Sequence, residues 1–288
     1  MSDTGVIHDI GYQRYEGVRL GRGASFLALY IHGLRAAFGF GRSAKAKIFP
    51  WLVAGIMLLV AVILAAVRSQ LDQVIFTYVE YDDQMSWLVI FFVAILAPEL
   101  LSRDIRSGTL PLYFSRPLRA ADYVGAKFAA MVTAVWLLLG VPQLIMFLGA
   151  AFTTKTGASG VWNEFLDLAP GWGYSLLWAL LFSSIGLLVA SLTGKRAFAA
   201  GGIVAVFLIT TPVVGVLSIL TSTTANHLAG LASPMTLIAG VGNWISGGDS
   251  EMSMPIGRFG PVYAIEAVCL IAACLLLLLA RYRKVAAL

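Results

Sequence analysis

A chain of 288 residues with 59% apolar side chains, 12% charged ones and a mean hydropathy of +0.85 has too little polar surface to close a soluble globule of this size. The formal net charge of +5 does not point to nucleic acid, because the basic residues flank apolar runs and form no patch interleaved with aromatics. Their natural partner is the anionic inner leaflet of a lipid bilayer, where each is worth roughly 1 kcal/mol.

In chain order, residues 1–48 read as a cytoplasmic segment ending in an interfacial helix. Within Ser25–Lys47 the apolar Phe26, Leu27, Leu29, Tyr30, Ile31, Leu34, Ala37 and Phe38 recur in helical rhythm around His32 and Arg35, the pattern of an amphipathic helix lying along the inner membrane face. Residues 49–288 form the membrane domain. A hydrocarbon core of about 30 Å needs roughly 20 apolar residues in a helix. Six segments meet that need: Phe49–Val67, Met85–Leu101, Phe128–Phe152, Trp172–Leu192, Ala197–Leu220 and Pro261–Ala280.

The first is bounded by Lys45 and Lys47 before it and Arg68 after it. An acidic outer loop with Asp72, Glu80, Asp82 and Asp83 precedes the second, which ends at Arg103. Pro142 with Gln143 in the third and Pro212 in the fifth predict kinks. The fourth and fifth abut the basic turn Thr193–Arg196 and form a hairpin closed on the inside. Leu228–Ile245 is apolar but broken by Pro234 and glycines, and reads as a re-entrant or interfacial segment of the last outer loop. Trp51, Trp87, Trp162, Trp172, Trp178 and Tyr174 are expected in interfacial belts. With six spans, 17 of the 20 Lys and Arg residues fall on one side, which places both termini in the cytoplasm.

Few residues offer chemistry. His8, His32 and His227 occupy separate segments, and Cys269 and Cys274, five apart in one span, read as apolar fillers, so no metal site is expected. Glu99 near the inner end of the second span predicts a hinge or an ion pair, with Arg103 one helical turn on as its partner. Glu266, in the outer half of the sixth span, is either a group on a substrate path or a helix-packing hydrogen bond. Ala197, Gly201 and Ala205 form a small-residue stripe suited to close helix packing, within the chain or between two chains.

The connection between the second and third spans is the most informative. A Ser107-Gly108 break follows the span, then Leu110, Leu112, Tyr113 and Phe114, too few to cross a membrane and rimmed by arginines. Such a knob docks a partner or folds back under its own helices.

The pattern Glu99, Arg103, Gly108-Thr109-Leu110, Ser115-Arg116-Pro117, Arg119, Tyr123 and Gly125-Ala126-Lys127 resembles the ABC-2 type permease family, membrane subunits of ATP-binding-cassette transporters and mostly exporters. The resemblance covers nearly the whole chain: an elbow helix, six spans, both ends inside and a long last outer loop. It implies that Gly108, Thr109, Leu110, Leu112, Tyr113, Phe114, Ser115, Arg116, Pro117 and Arg119 couple this chain to a separate ATPase subunit, which would hold ATP and Mg. It also implies a second permease copy or a sister permease. The chain has no phosphate-binding loop of its own, since Gly194-Lys195-Arg196 lacks the preceding glycine and the hydroxyl residue. It is therefore expected not to be an enzyme and to bind no cofactor itself. The Ala, Gly, Leu and Val-rich composition points to a bacterial inner membrane. The alternative reading is an ion-coupled secondary transporter or channel, which would want acidic residues near mid-bilayer.

Overall fold

The computed structural model describes residues 21–71, 73–110, 113, 118–155, 157–219, 222–247 and 255–286, and these are helices and their connections with no strand among them. The helices are α1 (Arg22–Ala37), α2 (Ala44–Leu71), α3 (Tyr78–Gln84), α4 (Ser86–Ala97), a π-helical turn (Pro98–Ser102) and α5 (Arg103–Arg106). After the connection of residues 107–119 come α6 (Ala120–Thr153), α7 (Ala158–Ser191), α8 (Arg196–Ser218), α9 (Thr223–Leu228), α10 (Pro234–Ile245) and α11 (Gly260–Ala286).

Among the described residues five helices (α2, α6, α7, α8 and α11) are each long and apolar enough to cross a membrane. Two further apolar stretches are broken. Tyr78–Gln84 and Ser86–Arg106 meet at a bend of 58°, and Thr223–Ala232 and Pro234–Ile245 at 118°. The expected segments fall mostly within these helices, but the bounds differ: α6 starts eight residues before Phe128, α7 starts 14 residues before Trp172, and α8 ends at Ser218. Both helices continue through their internal prolines, Pro142 and Pro170.

The bundle is organised around α6, which packs against α1, α2, α7 and α11. Where α2 meets α6, a side-chain carbon built on Gly149 would lie 2.6 Å from the Ala65 Cβ, so the two helices approach to near backbone contact. The outward face of α8 behaves differently. Nothing lies within 4 Å of a carbon built on Gly201, and Ala197 and Gly201 are exposed. Ala205 is half-buried, and neighbouring Gly202 faces Val189.

The largest departure concerns the acidic outer loop. Thr77 and Glu80 form a reciprocal capping box, with the Glu80 carboxylate accepting from the Thr77 N–H at 2.8 Å, and this starts α3. The helix carries Asp82 into the bundle, where it is fully buried. Its carboxylate accepts from Gln143 Nε2 at 2.8 Å and from Ser175 Oγ at 2.5 Å, while Gln143 also donates to the Tyr78 carbonyl at 3.0 Å. Asp83 accepts from the Tyr174 hydroxyl at 2.5 Å. Arg68 pairs with Glu164 nearer the C-terminal end of α2. Ser175 lies eleven residues further along α7 than Glu164, so Asp82 sits about 16 Å from that pair along the helix axis. Asp82 and Asp83 are thus core residues, because α3 folds back into the bundle. Tyr174 and Trp178, expected in a belt, are buried beside them.

The broken stretch after α8 forms a V over the N-terminal end of α11. Tyr263 fills the space between its arms: a carbon built on Gly230 would fall 2.7 Å from the Tyr263 hydroxyl oxygen and one on Gly240 2.3 Å from its ring, and the hydroxyl donates to the His227 carbonyl at 2.8 Å. Tyr174 reaches the same element from α7, donating to the Ile238 carbonyl at 3.2 Å.

Candidate functional site

At the C-terminal end of α4, Pro98 lacks the N–H that an α-helix would use, and the chain takes one π turn through Ser102. The Ser102 hydroxyl donates to the Ala190 carbonyl on α7 at 2.7 Å, which anchors the turn. The π turn presents Glu99 to two arginines from opposite sides. Arg42, in the connection between α1 and α2, lies 2.6 Å from Oε2, and Arg196, the first residue of α8, meets Oε1. This corrects the expected Glu99–Arg103 pair. An α-helical step would have stacked those side chains, but the π turn widens the helix between them and Glu99 faces the other arginines. Arg103 is exposed. Burial, and then the positive charge of Arg103, lower the pKa of Arg42 below its ordinary value.

Beyond Arg103 the chain closes α5 with hydroxyl groups. Ser107 Oγ donates to the Arg103 carbonyl at 2.9 Å, and Gly108 takes a left-handed φ of 64°. Asp104 faces inward to two partners on α6, pairing with Lys127 Nζ at 2.8 Å and accepting from the Tyr123 hydroxyl at 2.8 Å. Lys127 is almost fully buried and its ammonium also lies 5.5 Å from the Tyr123 ring centroid. Tyr113 packs on Tyr123 at 5.7 Å between ring centroids, and Tyr123 on Tyr282 of α11 at 5.1 Å. Asp122, on the first turn of α6, caps the Arg119 N–H at 3.0 Å and receives both Nε and Nη2 of Arg22 at 2.5 and 2.7 Å.

The expected coupling residues are therefore held by three ionic anchors, Glu99, Asp104 and Asp122. Leu110 is buried, Tyr113 half-buried and Leu118 buried, so these apolar residues fold against the chain's own helices. What faces outward is polar: Arg103, Arg106, Ser107, Gly108 and Arg119, with Thr109 half-buried. Leu112, Phe114, Ser115, Arg116 and Pro117 lie outside the described residues. A cavity of about 240 Å³ opens between α1 and this segment, walled by His32, Glu99, Arg103, Ser107, Thr109 and Lys127 among others.

Glu266 stands apart on α11, half-buried, without an ion pair or a side-chain hydrogen bond among the described residues. Among the described residues no three His, Cys, Asp or Glu side chains converge as metal ligands. Sequence reasoning missed Arg42 and Arg196 as partners of Glu99, and Asp104, Lys127 and Tyr282 as supports of Tyr123. Only Arg196, abutting the basic turn, carried a local signal.

A family model described as ABC-2 family transporter protein matches residues 63–284. The chain belongs to the ABC-2 transporter family. No curated protein matched it. It is thus an ABC-2 type permease, a multi-pass membrane component of an ABC transporter, and the family's membrane component is not itself catalytic.

Proposed function

We propose that this ABC-2 permease is the membrane half of an exporter, driven by separate ATPase subunits that dock on the segment from Gly108 to Arg119. In this reading there are six spans: the five unbroken helices and the bent pair of α3 with α4, with the V after α8 as a re-entrant cap in the last outer loop. Both termini are cytoplasmic in a bacterial inner membrane, and α1 acts as the elbow. Two permeases assemble, and the uncovered small-residue face of α8 supports that pairing. ATP and Mg are bound by the partner alone.

The observation that carries the reading is the double pairing of Glu99 with Arg42 and Arg196. It ties the inner end of the second span, just above the docking segment, to the elbow turn and to α8. Force applied by an ATPase at Arg103, Arg106 and Arg119 then reaches three elements at once and tilts the bundle between inward and outward access.

Reconstituted vesicles test it. The permease with its cognate ATPase should export a fluorescent amphiphile with ATP, stop with vanadate, and lose ATPase binding in an Arg106→Glu, Arg119→Glu variant. A second reading, the ion-coupled transporter, is favoured by Asp82, a fully buried carboxylate deep in the bundle. Transport that ignores ATP and collapses with a protonophore would establish that reading instead.

A further inference from the structure

From Gly21 to Leu71 the chain contains no carboxylate, yet it carries Arg22, Arg35, Arg42, Lys45, Lys47 and Arg68. Arg22, Arg42 and Arg68 find acidic partners on other helices. Arg35, Lys45 and Lys47 are exposed and have no ion pair among the described residues. Lys45 and Lys47 stand in the first turn of the 28-residue α2, which has no acidic residue there. The N-terminal end of the helix dipole adds positive potential to the two ammonium groups, an arrangement that favours an anion.

Directly above this turn is an apolar groove of about 260 Å³. Its walls are Phe38 and Phe40 from the turn after α1, Trp51, Ala54 and Leu58 from α2, and Leu137 from α6. The turn is built to hold the groove open. Gly39 adopts a left-handed φ of 73°, the Trp51 indole donates to the Phe38 carbonyl at 3.2 Å, and Phe40 meets Trp51 edge-on at 6.0 Å. Trp51 to Leu58 covers about 10 Å of helix, beginning one turn above Lys47. The groove therefore sits at the depth of the first methylenes of an inner-leaflet lipid, with the lysines at the depth of its phosphate.

We propose that this groove and the Lys45–Lys47 turn form a specific site for one anionic phospholipid of the inner leaflet, an acyl chain lying between α2 and α6 and the headgroup held by Lys47, which shares the helical stripe of Trp51, Ala54 and Leu58, with Lys45 adding to the positive potential around it. The proposal rests on α2 entering the membrane from the cytoplasmic side and not on ATPase coupling, so each can fail alone. The seated lipid would brace the turn that carries Arg42, and through it the Glu99 cluster.

The test is native mass spectrometry of the delipidated full chain, titrated with palmitoyl-oleoyl phosphatidylglycerol or with the matching phosphatidylcholine. Wild type should hold one phosphatidylglycerol about tenfold more tightly than phosphatidylcholine, since two basic residues act on the extra charge. Lys45→Gln, Lys47→Gln should abolish the preference while keeping weak binding of both lipids. Ala54→Phe, or independently Leu58→Trp, should remove the bound lipid of either kind, with an unchanged thermal unfolding profile as the check on folding. Equal retention of the two lipids by wild type, or an unaltered preference in the lysine variant, overturns the site. So does a groove closed by a second copy, seen as Ala54→Cys cross-linked dimers that take up no lipid.

Discussion

The Asp82 carboxylate and the Ser175 hydroxyl meet at 2.5 Å with both side chains fully buried between α3 and α7. Gln143 completes the set from α6, so three helices share one polar knot in an otherwise apolar region. Replacing Asp82 with Ala leaves the buried Ser175 hydroxyl without its acceptor and removes one of the acceptors of Gln143, at a cost of about 1–3 kcal/mol. Asp82→Asn keeps one oxygen acceptor and should cost less. Tryptophan fluorescence during thermal unfolding in detergent should rank the variants wild type, Asn, Ala. An Ala variant as stable as wild type would mean that the knot contributes nothing to the fold.

Glu99→Gln removes the charge that two guanidinium groups share. Breaking such a pair in a fully buried site costs about 3–5 kcal/mol, and the partial exposure of Arg42 and Arg196 lowers this to about 1–2 kcal/mol. If the cluster transmits motion, ATP-driven transport falls about tenfold, the equivalent of roughly 1.4 kcal/mol, while ATPase binding is preserved. Surface-plasmon binding and vesicle uptake, measured on the same preparation, separate the two. Loss of binding together with transport would place Glu99 in the docking surface itself.

Gly108 has a φ of 64° and open space where a side chain would begin, so a substitution there meets backbone strain alone. Gly108→Ala should cost about 1–2 kcal/mol and Gly108→Asn distinctly less, because Asn tolerates the left-handed region. Limited proteolysis of the 103–119 connection reads this directly, with cleavage fastest in the Ala variant. Equal cleavage of all three would show that the turn is not held by its backbone.

Gly149 and Gly201 look alike in the sequence, each a glycine inside an apolar helix. Gly149→Val forces two carbons against Ala65 and should separate α2 from α6, lowering the unfolding temperature by several degrees at about 2–4 °C per kcal/mol. Gly201→Val meets nothing within the chain and should leave the monomer's stability unchanged. Light scattering on that variant then reports whether α8 lies between two copies: a shift from dimer to monomer is expected.

Much of the bundle was legible because membrane spans announce themselves by length and by the charges at their ends; Lys45, Lys47 and Arg68 bracket α2 well. What periodicity could not reach was long-range pairing. The Glu99–Arg103 spacing of four is a good α-helical pair, and it failed because one proline turned an α step into a π step. The run Glu80-Tyr81-Asp82-Asp83 looked like a solvated loop, although the Thr77-x-x-Glu80 capping box was there to mark a helix start. Its burial depends on Gln143 and Ser175, 61 and 93 residues from Asp82 along the chain, which no local window contains.

Two tyrosines hold the V from two helices: Tyr263 of α11 lies against Gly230 and Gly240, and Tyr174 of α7 lies against Gly242 and donates to the Ile238 carbonyl at 3.2 Å. The V is therefore clasped like a strap between two buckles. Any shift of α7 against α11 pulls on it, and the Tyr174 hydroxyl carries that pull on to Asp83.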